Sequence, residues 1–263
     1  MPTIGTVESL WRYPVKSMRG EELTEAFMGF SGIFGDRCYA VKNSASRKGF
    51  PYLNANVQHQ MLAYLPQFRY PEKAIAPPNI TESMCIGPGV TPANANADEL
   101  ELDVIMPSGA IISIDDQSLL EVLSEGLHGE NNLSVVRSDR ALTDCRPVSL
   151  ISIQTIQQLG TELGIPLDKR RFRANIYLDL TADEGFLEDE LVGRRIRIGT
   201  KAEIMVLQRD PRCPMISIDP GTGEHNPEVL RHVAQKHANN AGVYCAVLVE
   251  GLLNVGDPVC VVD

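Results

Sequence analysis

The chain has 263 residues, a net charge of −10 at pH 7, 43% hydrophobic residues and 22% charged residues. This is length for two modest domains at ~150 residues each and an ordinary globular composition, while the acidity argues against broad electrostatic binding to nucleic acid or an anionic membrane. No run of ~18 apolar residues is available for a membrane span, and the opening MPTIGTVESLWRYPVKS lacks an apolar signal-peptide core, so the expectation is a cytoplasmic protein.

Taken in chain order, short β-branched runs bounded by glycine and proline predict strands over 4–13, 38–43, 102–106, 111–115, 134–137, 174–180, 195–199, 202–208, 244–250 and 257–262. Helical spacing is confined to a few places. A helix over 118–126 follows Asp115 and Asp116, both suited to capping. Another over 153–163 carries Ile153, Ile156, Leu159 and Leu163 at steps of three and four. A third, over 227–236, opens on Pro227 after Asn226. Many strands and few helices predict a β-rich α+β fold built on a barrel or sandwich. The stretch 71–98 holds five prolines and two glycines and reads as a long surface insertion. A domain boundary is expected near 126–132, dividing the chain into 1–125 and 126–263.

The six cysteines are Cys38, Cys85, Cys145, Cys213, Cys245 and Cys260; no two form a CxxC pair, which disfavours a disulfide framework or a zinc knuckle. Five histidines without an HxxxH or HExxH pattern disfavour a histidine metal site. Reduced, mostly inert core thiols are the simplest expectation, with Cys260 in PVCVVD as the example.

Cys213 is different. Arg212 precedes it and Arg209 lies four residues back, and neighbouring guanidinium groups favour the thiolate; the plainer alternative is a half-buried cysteine beside a surface arginine. Lys16 and Ser17 after the first strand, together with Arg37, could hold an oxyanion through charge-assisted hydrogen bonds, or could be a solvated lysine and an Asp36–Arg37 surface pair. The densest basic run, 169–173, is by default a solvated face. Asp144, flanked by Cys145 and Arg146, reads locally as a turn carboxylate. The acidic residues Asp183, Glu184, Glu188, Asp189 and Glu190 read as solvated surface. The PGTG turn at 220–223 is not followed by GK[ST] and is no phosphate loop.

In combination these segments say more. YPVKS at 13–17, GDR at 35–37, RRFRANI at 170–176, RCPMISIDPGTG at 212–223 and NVGDPV at 254–259, in this order, resemble the MOSC proteins. More narrowly they resemble the two-domain type with an N-terminal β-barrel domain, to which the amidoxime-reducing components and their bacterial relatives belong. The resemblance implies an N-terminal MOSC-type β-barrel domain over 1–125, interrupted by the 71–98 loop, and a C-terminal MOSC β-barrel over 126–263. It implies a molybdenum cofactor (Mo-molybdopterin) in the groove between them. Cys213 then matches the protein thiolate ligand of the metal. Asp144 matches a metal-proximal aspartate that aids proton delivery. Lys16, Ser17 and Arg37 match contacts to the cofactor's phosphate and pterin, and Arg173 matches the arginine of the FRxN motif, with Asn175 close by. Relatives often carry small hydroxyl residues where this chain has Cys145 and Arg146; either of these could still contact the pterin phosphate, and Arg146 is counted among the expected cofactor-binding residues. YLNANVQHQ replaces an arginine-containing segment, and FRPN becomes FRAN.

The implied activity is reduction of N-hydroxylated compounds: hydroxylamines, amidoximes or N-hydroxylated bases. Because the chain has no flavin, haem or iron–sulfur motif, its partners would be a small N-oxygenated substrate and a separate electron-donor protein of cytochrome b5 or flavin reductase type. The alternative is a non-catalytic carrier that stores or delivers molybdenum cofactor, or its sulfur as a persulfide on Cys213.

Overall fold

The computed structural model describes residues 2–81 and 97–262. Its first half contains β1 (Thr3–Arg12), β2 (Glu21–Leu23), β3 (Glu25–Gly29), β4 (Gly32–Ile33), β5 (Tyr39–Asn43), β6 (Leu65–Phe68), β7 (Leu102–Ile105), β8 (Ile111–Ser113) and β9 (Leu133–Arg137). The second half adds β10 (Val148–Ser152), β11 (Ile176–Leu180), β12 (Arg195–Ile198), β13 (Ala202–Pro211), β14 (Asn240–Val249), β15 (Gly251–Asn254) and β16 (Pro258–Val262).

A single ring dominates. The order β11-β10-β14-β13-β12-β16-β1 closes on itself because β1 also pairs with β11, which makes a seven-strand barrel with β2 appended to β1. Closure removes the exposed edges that an open sheet would leave. Isoleucine, leucine and valine from alternate positions fill the barrel, among them Leu150, Ile176, Ile196, Ile204, Val243 and Val259. At the closing seam a Cβ on Gly5 would lie 2.2 Å from the Asp179 carbonyl, so only glycine lets β1 approach β11 there. β10 and β11 are the parallel pair, and parallel neighbours need a crossover. The helix Ile153–Leu163 supplies it.

The remaining strands form smaller sheets, β15-β3-β4, β5-β9 and β6-β7-β8. A second core lies among them and under the helix Gln117–Ser124, built from Met18, Val41, Met61, Phe68, Val104 and Leu119. Chain order and spatial order therefore differ. β1 completes a barrel of C-terminal strands, β9 pairs with β5, and β15 returns to β3. Ala55 and Leu62 meet Ile218 and Met215 in a small apolar contact between the two halves.

The helices over 153–163 and 227–236 coincide with their expected spans, and local capping explains why. Ser152 accepts from Thr155 N, Asn226 accepts from Glu228 N, and Asp116 does the same for Ser118 N at the start of Gln117–Ser124. Two expectations need correction. The acidic stretch 183–190 is not all solvated: Glu188 is fully buried, accepting from Ser152 Oγ at 2.8 Å, Ser152 N at 3.2 Å and Thr155 Oγ1 at 2.7 Å. Cys260 is only half-buried, and the core thiols are Cys38 and Cys245, both pushed up by burial. Most of the 71–98 stretch, with Cys85, lies outside the described residues; its first residues form the 3-10 turn Pro71–Lys73.

Candidate functional site

The loops that flank β1, β5, β10 and β13, together with Ser149 of β10 and Tyr244 of β14, enclose a cavity of about 420 Å³. That is within the ~300–1,000 Å³ usual for small-molecule sites. Lys16, Ser17, Arg37, Asp144, Arg146, Arg173, Asn175 and Cys213 all line it, although they come from segments up to 197 residues apart in sequence.

The floor is built by residues in unusual backbone conformations. Ser17 (φ +66°), Arg37 (φ +46°) and Arg173 (φ +51°) are in the left-handed region, which side-chain-bearing residues adopt at a cost of ~1–3 kcal/mol each. Each turns its side chain out of a strand end or short helix toward the cavity. Arg173 caps the 3-10 helix Lys169–Phe172, and its guanidinium lies 4.2 Å over the Tyr13 ring while Nη1 donates to Met18 O at 2.8 Å. Arg37 also lies over Tyr13, at 4.7 Å, and donates from Nη2 to Arg173 O at 3.0 Å. Its other arm pairs with the buried Asp36 carboxylate, which in turn accepts from Tyr13 N at 2.8 Å. The Asp36–Arg37 pair is thus interior, not the surface pair that local sequence allows.

Lys16 is also interior. Its ammonium donates to Leu142 O at 2.8 Å and pairs with Asp144, with the rings of Phe50 and Tyr52 at 5.2 and 5.6 Å. Burial holds it below the usual lysine range, against the pull of Asp144. Burial, then the nearby Arg37, holds the Arg173 guanidinium down to about 10. Six cations (Lys16, Arg37, Arg146, Arg171, Arg173 and Arg212) line the cavity of a chain whose overall charge is −10. Lys16 pairs with Asp144, Arg37 with Asp36, Arg171 with Asp219 and Arg212 with Asp210, which leaves Arg146 and Arg173 without a carboxylate partner among the described residues. Such crowding of like charges in low dielectric is unfavourable unless an anion joins them.

The basic run 169–173 is divided by the fold. Lys169 pairs with Glu8 and Arg170 with Asp168 on the outside. Arg171 is buried and reaches Asp219 at 2.6 Å, and Arg173 enters the cavity. Arg173 Nη2 and Arg171 Nε are buried without a hydrogen-bond partner among the described residues. Unpaired buried donors on guanidinium groups are costly, and a bound oxyanion would satisfy them.

Opposite this floor stands the loop after β13. Cys213 is exposed at the start of the 3-10 helix Pro214–Ser217. Arg212 beside it is held by Ala241 O, Phe172 O at 2.9 Å and the Asp210 carboxylate at 2.9 Å. Gly242 (φ +80°) permits this, because a Cβ there would crowd Leu150 O at 2.7 Å and Arg212 Nη2 at 3.2 Å. Arg212 is therefore a strut for the Cys213 loop more than a free cation. Asn175 is likewise committed: it accepts from Ser149 N and Ser149 Oγ and donates to Trp11 O at 3.3 Å, which ties β1, β10 and β11 together at the cavity wall. Asp144, Cys145 and Arg146 are exposed at the rim. Sequence reading passed over Asp210, Tyr244, Ser149 and the asparagines Asn54 and Asn56, which also line the cavity. Asp210 sits between two arginines in QRDPR, the one local hint available.

The donor set suits an anionic cofactor with a soft metal: a cationic floor, unpaired buried guanidinium nitrogens, and an accessible thiol across from them. Among the described residues no helix is long and apolar enough to cross a membrane.

Comparison with known proteins gives matching results. The family model described as MOSC domain matches residues 137–260, and that described as MOSC N-terminal beta barrel domain matches residues 4–65. A molybdenum cofactor sulfurase of Drosophila ananassae is 29% identical over 118 residues, 44% of this chain but only 15% of that protein's length. Among solved structures, the YuaD protein of Bacillus subtilis aligns with 97% of this chain and 93% of its own, at 14% identity and a TM-score of 0.44. YiiM of Geobacillus stearothermophilus aligns with 45% of this chain and 55% of its own, at 22% identity and a TM-score of 0.36.

Proposed function

The chain belongs to the two-domain MOSC proteins, whose domain pair it carries in order, and on that premise we propose that it is a molybdenum-cofactor-dependent reductase of N-hydroxylated compounds such as hydroxylamines, amidoximes or N-hydroxylated bases. The observation that carries this reading is a single cavity combining an exposed thiol with buried, unpartnered guanidinium nitrogens. When bound, the cofactor supplies the two-electron chemistry that removes oxygen from an N–O bond.

The chain's own residues do the rest. Cys213 offers a soft thiolate ligand to the metal. Lys16, Ser17, Arg37 and Arg173 hold the phosphate and pterin end, with Arg146 at the rim. Asn175 keeps the wall in place. Cleaving an N–O bond reductively leaves a basic oxygen or nitrogen, so a proton must be held nearby. The Lys16–Asp144 pair serves: the ammonium is held below its usual range by burial, and the carboxylate, 54% exposed, exchanges with water. Electrons come from a separate donor protein of cytochrome b5 or flavin reductase type.

The alternative is a carrier that stores or hands on the cofactor or its sulfur. It is favoured by one specific feature, a second exposed thiol, Cys145, in the same cavity. One experiment separates the two. Protein purified from a host that makes the cofactor is assayed for molybdenum, for turnover of a hydroxylamine with an artificial reductant, and for a persulfide on Cys213 by mass spectrometry. Turnover that vanishes in Cys213→Ala supports the reductase. Full metal content without turnover, together with a persulfide, supports the carrier.

A further inference from the structure

Outside the cavity lining, three side chains converge at the C-terminal ends of two helices. Glu162 is in the last turn of Ile153–Leu163, His232 is on Pro227–Lys236, and His237 caps the end of that same helix. His232 Nε2 lies 2.6 Å and His237 Nε2 2.7 Å from one carboxylate oxygen, Glu162 Oε2. The three ligating atoms all lie within 4.8 Å of one another. We propose that Glu162, His232 and His237 form a binding site for a divalent transition-metal ion, with Zn2+ the ion that its donors fit best.

Two imidazole nitrogens and a carboxylate oxygen are the ligand types of a three-residue zinc site with a fourth position open to water. The separations are close to what an ion requires. Ligands about 2.0–2.1 Å from a tetrahedral Zn2+ stand roughly 3.3 Å apart, so Glu162 has to withdraw by less than ~1 Å. Each imidazole now donates an Nε2 hydrogen to the same oxygen; on binding, that hydrogen leaves for solvent or the ring takes its Nδ1–H tautomer, and the lone pair turns to the ion.

The surroundings hold the ligands in place, as outer-shell partners do at metal sites. Gln158 donates to the other carboxylate oxygen, Glu162 Oε1, at 2.8 Å. Phe186 stacks on His237 with ring centroids 3.9 Å apart and planes 10° from parallel. The negative ends of two helix dipoles point toward the cluster and favour a cation there. All three ligands are partly accessible, with side-chain exposures of 28% for Glu162, 18% for His232 and 14% for His237, so an ion can reach them. Motif reading misses the site because the histidines are five residues apart and straddle a helix end, while the glutamate is 70 residues away.

The test uses the full chain, stripped with EDTA and titrated with Zn2+ against a chromogenic chelator. It is run in the native background and in Cys145→Ser/Cys213→Ser, which removes the exposed cavity thiols. The expected result is one equivalent bound in both, with affinity at least ~100-fold weaker when His237→Ala or His232→Ala is added. Zn2+ at a hundredfold excess over its Kd should raise Tm of the thiol-free protein by roughly 5–10 °C. Should the alanine variants fold poorly, Glu162→Gln keeps the side-chain shape and should bind ~10–100-fold more weakly while its Tm in EDTA stays close to the parent's. Equal affinity in the thiol-free protein with and without Glu162→Gln, or no saturable binding in that background, overturns the proposal.

Discussion

Replacing Arg173 with methionine keeps the apolar stem and removes the charge. If the guanidinium is an anion receptor, function and stability should separate. Its pKa is held down to about 10, so keeping it charged at neutral pH costs the folded chain up to about 3 kcal/mol, and somewhat less because the side chain is only half-buried. Against this stand a charged hydrogen bond to Met18 O at 2.8 Å, worth ~1.5–3 kcal/mol, and stacking on Tyr13 at 4.2 Å, worth ~0.5–1 kcal/mol. The terms cancel to within about 1 kcal/mol. Arg173→Met should therefore shift Tm by no more than ~2–4 °C. It should also weaken pyrophosphate, a probe for the cofactor's phosphate end, by roughly ten- to hundredfold. The pH dependence has a definite sign. The cation is the binding form and is complete below its folded pKa, so wild-type affinity should fall as pH rises through about 10. Differential scanning fluorimetry and isothermal titration on the cofactor-free protein measure both quantities. A Tm loss above about 10 °C with unchanged pyrophosphate affinity would make Arg173 a structural strut and refute the anion-receptor reasoning.

Cys213→Ser should abolish N-hydroxy reduction yet barely move Tm, because the side chain is exposed; full activity with an unshifted metal spectrum would remove Cys213 as ligand. Asp144→Asn should keep near-normal molybdenum content while turnover per metal drops by ~10²–10⁴-fold; a wild-type pH–rate profile would make Asp144 merely a turn residue. Lys16→Glu or Arg37→Glu should lower cofactor occupancy more than turnover per bound metal, read by elemental analysis beside activity. Glu188→Ala takes away the carboxylate that accepts from Ser152 N, Ser152 Oγ and Thr155 Oγ1 and leaves Ser152 Oγ only Thr155 Oγ1 to donate to, at about 1–3 kcal/mol for each buried donor left unpaired; thermal melts should show a loss on the order of 10 °C, whereas an unchanged Tm would return Glu188 to the solvated surface.

The local signals that were legible share one property: their causes act within a few residues. Pro227 after Asn226 predicts a helix start, and the Asn226 side chain does cap it. The three- and four-residue spacing of Ile153, Ile156, Leu159 and Leu163 sets an apolar face that packs wherever the helix lies. The strands that reading missed, such as β3, β4 and β15, are two to five residues long; β4 is a short hairpin return on β3, and β3 and β15 are held by each other across more than 200 residues of chain. Burial of Glu188 is illegible locally for the same reason, since the groups that donate to its carboxylate, on Ser152 and Thr155, sit 33 to 36 residues earlier.

By itself, then, the sequence determined the β-rich class, two helix spans and the place of a third, and it picked out residues that share one cavity, because short-range propensity, capping and motif order need no partner. Only tertiary structure decided which charges are buried and what they face. Barrel closure by β1 brings Lys16 and Ser17 into one cavity with Arg37, Arg173 and Cys213, and sets Tyr13 under the two arginines; burial among like charges is what makes an anion receptor the proposed role of these cations. The same packing sends Arg170 to the surface and Arg173 into the cavity, three residues apart in one basic run. It also brings Glu162 to His232 and His237. Coulomb and desolvation energies depend on distance and dielectric in space, and those quantities exist only once the chain has folded.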